Sequence, residues 1–175
     1  MNQEPADALK KLFYDMLKDT MSAEKQLVKA LPKMAKAATS EELTNALNEH
    51  LSVTENQVAR LEEVFEAAGL DVGSKTCEAM KGLVAEGEEA IKETDKGSLV
   101  RDVALIVAAQ KVEHYEIAAY GSLRTLAQVL GLREAANLLQ ETLDEEGETD
   151  KKLTMIAERI NVKAEEEDDE ENDDN

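Results

Sequence analysis

The apolar periodicity of this chain breaks three times, in the order short, long, short. Four long segments, at about 6–38, 41–69, 99–130 and 133–161, repeat apolar residues at helical spacing. Thr39-Ser40 parts the first pair and Gly131 the second. Ser40, followed by Glu41 and Glu42, is a helix start, and Gly69 is a helix stop. Between them, LDVGSKTCEAMKGLVAEGEEAIKETDKGS (70–98) carries four glycines and room for one short helix at about 76–93. A short break makes an antiparallel helical hairpin, and the long break must carry the chain from one hairpin to the other. The predicted fold is therefore all-α: a four-helix bundle over 1–163 whose long crossover holds a short extra helix. AEEEDDEENDDN (164–175) has no apolar face and is expected to be a disordered acidic tail.

The charge balance narrows the partners. A formal net charge of −19 repels nucleic-acid phosphates and anionic membrane surfaces, so neither is expected. A single cysteine, Cys77, permits no intrachain disulfide, which suits a reducing compartment. No apolar run approaches the roughly 20 residues of a membrane span. MNQEPADALKK lacks the apolar core of a signal peptide, so the expected location is the cytoplasm.

Each apolar stripe has an ionisable residue at its middle. At about 100° per residue, Phe13, Leu17, Val28 and Leu31 fall within about 40° of Glu24. Leu43, Thr54, Leu61 and Val64 surround His50 in the same way. Leu139, Asp150, Leu153 and Ala157 surround Glu146. Leu99, Ile106, Ile117 and Tyr120 surround Glu113, with Glu116 about 60° to one side. Alone, such a glutamate is ordinarily an edge residue reaching water, and an inward histidine is ordinarily a hydrogen-bonded core residue. Four in register are different. An unpartnered buried carboxylate costs several kcal/mol, and no lysine stands near mid-helix on these faces to neutralise it. Carboxylates and imidazole facing one another suit iron or manganese. Glu24, His50, Glu113, Glu116, Glu146 and Asp150 are the candidate ligands. Thr54, Gln57 and Tyr120 extend the polar strip and are candidates to support those ligands by hydrogen bonding. His114, about 100° from Glu113, falls at the stripe edge, and Tyr115 points away from the centre. Cys77 has no base near it in sequence.

AEKQLVKALPKMAKAA, ALNEHLSVTENQVARLEEVFEAAG, CEAMKGLVAEG, AAQKVEHYEIAAYGSLRTLAQVLG and LLQETLDEEGETDKKLTMIA, in that order, resemble the YciE/YciF family of ferritin-like proteins over about residues 8–160. The resemblance implies a ferritin-like fold, bacterial origin, a homodimer and an association with stress response, but no settled enzymatic activity. Ferritin-like proteins bind two metals with a Glu on one helix and Glu-x-x-His on the next, repeated once. Glu24 and Glu146 match two of those glutamates, and Glu113 or Glu116 a third. The chain departs from the pattern at Leu47, three residues before His50, and at Thr149, where the second histidine would stand. Ser52 and Val53 stand where nearer relatives tend to carry acids.

The expected function is thus a metal-binding, stress-associated protein holding one or two iron or manganese ions, with redox or peroxide-handling chemistry. The rival expectation is a non-enzymatic helical dimer whose polar core is vestigial and hydrogen-bonded.

Overall fold

The computed structural model describes residues 5–173, with side-chain surroundings for 8–167. The described residues form α1 (Pro5–Ala37), α2 (Glu41–Ala67), α3 (Glu78–Glu93), α4 (Leu99–Val129) and α5 (Arg133–Asp173), with no strand among them. Among the described residues no helix is long and apolar enough to cross a membrane.

The ends are set by local chemistry. Ser40 Oγ accepts from the Leu43 amide at 3.2 Å, and Ser98 Oγ does the same for Arg101 at the start of α4. α2 stops because Gly69 takes φ 65°, which lets the Leu70 amide bond the Phe65 carbonyl at 2.9 Å. Gly131, at φ 74°, ends α4 through the equivalent Leu132–Ala127 bond. α3 fills part of the long connection, starting two residues later than predicted, with Cys77 Sγ as its cap.

Cross-helix pairs give the directions. Arg60, Glu49 and Glu42 on α2 meet Glu145, Lys152 and Arg159 on α5, so these helices run antiparallel. Glu24 on α1 meets Tyr120 on α4, and Thr39, just beyond α1, meets Asp102, so α1 and α4 are antiparallel as well. α3 lies across α1 and α4, with Lys33–Glu88 at 2.8 Å and Lys111–Glu86 at 2.5 Å. Asp102 is buried and ties the start of α4 to the link between α1 and α2. Its carboxylate accepts from the backbone amides of Thr39 and Ser40 at 2.6 and 2.7 Å, the first donors before α2. Beside it, Arg101 donates to the carbonyls of Ile91 and Thr94 at the end of α3.

Two apolar clusters fill the interior. One contains Leu27, Leu31, Leu43, Leu105 and Leu153, and the other Phe13, Leu17, Phe65, Leu123 and Leu139. Between them lies a waist of buried polar side chains: Glu24, His50, Thr54, Gln57, Glu113, Glu116, Thr142 and Glu146.

Two elements differ from expectation. On α1, Leu27 is buried where Val28 was expected, and Val28 sits half-buried at the stripe edge. Residues four apart drift by about 40°, so a stripe on a long helix alternates between three- and four-residue steps. α5 continues past residue 161 to Asp173, into the segment for which disorder was expected. No glycine or proline interrupts 148–173. Ile160 and Ala164 keep its inner face packed, and Glu167 accepts from the Leu99 amide at 3.3 Å. Asp174 and Asn175 lie outside the described residues.

Candidate metal centre

The waist assembles one ionisable group or more from each long helix. His50 comes from α2, Glu113 and Glu116 from successive turns of α4, and Glu146 from α5. One potential ligand atom from each of these four lies within 4.8 Å of all the others. His50 Nε2 stands 3.4 Å from Glu113 Oε1. Glu24, on α1, lies near enough to Glu116 for its carboxyl to perturb that group, and Glu146 lies as near to Glu113. The carboxyls therefore form two cross-helix pairs, with the imidazole against one of them.

Their polar atoms are largely without partners. Both oxygens of Glu113, Glu116 and Glu146, Oε2 of Glu24 and Nε2 of His50 are buried and make no hydrogen bond within the protein. Burial first, and then the neighbouring Glu146 charge, push Glu24 up to about 8. Burial likewise lifts Glu146 to about 7 and drives Glu113 and Glu116 well above the ordinary carboxylate range. It depresses His50 to about 4, so the imidazole is neutral at physiological pH, the form that ligates metal. Like-charged carboxyls in a dry site must hold protons or a cation, and the orphaned oxygens are the donor set a hard cation takes. The residues present fit an iron or manganese ion.

The polar strip around them is connected to the fold. Tyr120 donates to Glu24 Oε1 from α4 to α1, as its position one turn past Glu116 suggests. Gln57 donates to Glu145 at 3.1 Å and leaves its own buried oxygen without a partner. Thr54 turns its hydroxyl back to the His50 carbonyl at 2.9 Å, bonding its own helix rather than a candidate ligand.

Asp150 does not join the group. Its Oδ1 lies 3.4 Å from His114 Nε2 and takes a 3.4 Å hydrogen bond from Gln110, in the seam between α4 and α5. Four residues after Glu146, it has advanced a turn and rotated about 40°, enough to carry a short side chain to the rim. Thr149 bonds the Glu145 carbonyl at 3.0 Å and Leu47 packs in an apolar cluster, so neither replaces the missing ligands of the Glu-x-x-His pattern.

Four contacts were not visible in the sequence. Arg60 grips Glu145 through two nitrogens at 2.7 and 2.8 Å and donates to buried Thr142 at 2.9 Å, walling the centre beside Glu146. Gln57 and Arg60 stand three residues apart on α2, which sets them side by side, but nothing in the sequence names Glu145 as their partner. Away from the centre, the Tyr115 hydroxyl donates to Asp19 and sits 3.0 Å from Cys77 Sγ. Burial raises the Cys77 thiol, which leaves it a protonated, weakly reactive cap.

Residues 8–165 match the family described as "Domain of unknown function (DUF892)". Protein YciF of Escherichia coli (strain K12) is 52% identical over 156 residues, 88% of this chain and 93% of that protein. The crystal structure of the E. coli stress protein YciF matches with a TM-score of 0.85 at 49% identity, covering 89% of this chain and 98% of that one. YcfI of Rhodopseudomonas palustris matches with a TM-score of 0.80 at 37% identity, covering 88% of this chain and 98% of that one.

Proposed function

The chain belongs to the DUF892 family as a relative of YciF, and on that premise we propose that it is a ferritin-like metal-binding protein associated with stress response. In this reading α1, α2, α4 and α5 are the four helices of a ferritin-like bundle, and α3 rides on its long crossover. His50, Glu113, Glu116 and Glu146 would hold one iron or manganese ion, and Glu24 with Glu116 would offer a second, less complete position. Bound metal of this kind supplies oxidation of Fe(II) or disposal of peroxide. The protein's own part is to keep the ligands dry, neutralise Glu145 with Arg60, and orient Glu24 through Tyr120. The homodimer implied by the family resemblance is part of the same reading.

The observation that carries the proposal is the set of buried carboxylate oxygens without partners, drawn from three helices towards one imidazole. A hydrogen-bonded vestigial core would satisfy those oxygens, and here the protein does not. Elemental analysis with anomalous scattering on natively purified protein tests it, reporting metal identity, number and place together. Stoichiometric iron or manganese is expected at the waist, and Glu146→Ala should remove it. Protein that stays metal-free after incubation with Fe(II) and Mn(II) would sink the reading and leave the structural helical dimer.

A further inference from the structure

A buried centre must be reached, and the four seams around the waist are not alike. In the α1–α2 seam, Lys25 and Lys29 line the surface hollow with Val28, Glu55 and Val58. In the α2–α5 seam the guanidinium of Arg60 covers the flank of the centre. The α1–α4 seam carries a largely apolar surface hollow, with Met16, Ile117, Ala118 and Leu126 and no charged side chain in its lining. The two lysines disfavour a divalent cation at the first, the Arg60–Glu145 pair fills the second with groups already satisfied by each other, and the apolar third offers it no ligand.

The α4–α5 seam has the opposite character. Asp150 and His114 face each other across it at 3.4 Å, and among the described residues no lysine or arginine pairs with Asp150. Exposure falls stepwise along this seam: the His114 side chain is 70% exposed, Asp150 22%, and Glu113, adjacent to His114 in the chain, 0%. The most buried member of this series, Glu113, is an unpartnered carboxylate, with a second one, Glu146, one turn before Asp150. The negative charge of Asp150 is felt at Glu113, which places the two within electrostatic reach.

We propose that His114 and Asp150 form an entry station at which a divalent cation is first bound before it passes to Glu113 and Glu146. One imidazole and one carboxylate, with water completing the shell, make a weak site for such a cation. Weakness is what transit requires, since a complete ligand set at the rim would trap the ion there. The station rests on the reading of the waist as a metal centre. It also accounts for Asp150, which lies on the ligand stripe but outside the ligand group.

Co(II) is a suitable probe, because its binding is followed by absorbance after rapid mixing. The unaltered full-length chain is compared with His114→Ala, Asp150→Asn and, as a charge control, Glu148→Gln, an exposed residue of the same helix that pairs with Lys151. Loading of Asp150→Asn and of His114→Ala should slow by about tenfold, the scale of local electrostatic steering, with the final Co(II) per chain unchanged. Release into excess chelator should slow by a similar factor, since one gate serves both directions. Glu148→Gln should load at the normal rate. Unchanged loading in both rim variants overturns the station, as does equal slowing in Glu148→Gln, which would reduce the effect to net charge. A loss of bound Co(II) in Asp150→Asn also overturns it, because Asp150 would then be a ligand. If the unaltered chain binds no Co(II), Fe(II) or Mn(II), the metal centre itself fails, a result distinct from each of these.

Discussion

The Tyr120 hydroxyl on α4 donates its hydrogen bond to Glu24 on α1, joining the helices across the waist. It is the one partner Glu24 has, since Oε2 makes none. The phenol is itself buried, and both burial and the neighbouring Glu24 raise its pKa, so it stays protonated and remains a donor.

Tyr120→Phe removes that donor and leaves both Glu24 oxygens stranded. Metal-free protein should lose about 1–3 kcal/mol of stability, the cost of an unsatisfied buried polar group. Metal affinity should fall by roughly tenfold, as it does when a residue orienting a ligand is lost. Urea unfolding and competition against a chromophoric chelator measure the two effects. Unchanged affinity would show that Glu24 takes no part in holding metal.

The waist sets the pH dependence of the metal-free protein. Glu24 and Glu146 have folded pKa values near 8 and 7, above their ordinary 4.5, so their contribution is fully present below 4.5 and is lost as pH rises through 7 and 8. His50 has the opposite sense: held near 4, it weakens the fold only as pH falls from 6.5 towards 4. Between pH 6.5 and 8.5 only the carboxyls act. The Tm of metal-free protein should fall across that window by on the order of 5 °C, given about 1.4 kcal/mol per pH unit for each group at most. Metal-loaded protein, whose ligands are already deprotonated, should show a flat or rising Tm there. Calorimetry of the two forms decides it, and a metal-free Tm that rises with pH would contradict the burial of these carboxyls.

Asp102 is a stability determinant away from the waist. Asp102→Ala removes both of its bonds to the amides before α2 and leaves those donors without their partner. The expected loss is about 2–4 kcal/mol, from charge-assisted bonds and the cap they provide. Asp102→Asn keeps one acceptor and should recover about half. Chemical unfolding of both variants, with metal content unchanged, checks the prediction.

Much of this arrangement could be read from residue spacing, for definite reasons. Gly69 and Gly131 mark helix ends because the backbone there needs positive φ. Glu24, His50, Glu113 and Glu146 are all buried as the helical wheel places them, because each sits at the middle of an apolar stripe. Glu116 is as buried as Glu113 although the wheel puts it to one side. α4 packs against α1, α3 and α5, so its covered face is wider than one stripe. Asp150 lies on the same stripe and yet stands at the rim. A wheel gives angle and not depth, and 40° decides between the centre and the rim for a side chain as short as aspartate. Arg60–Glu145 and Tyr115–Cys77–Asp19 join residues far apart in the chain, so periodicity says nothing about them.

The waist between two apolar clusters has a last consequence, which concerns alignment. Four amphipathic helices of similar composition can slide past one another at little cost if hydrocarbon meets hydrocarbon at every level. Here a slip of one turn, about 5.4 Å, would press leucine against carboxylate both above and below the mismatch. The layer that strains the metal-free fold is therefore also the mark by which the helices find their register.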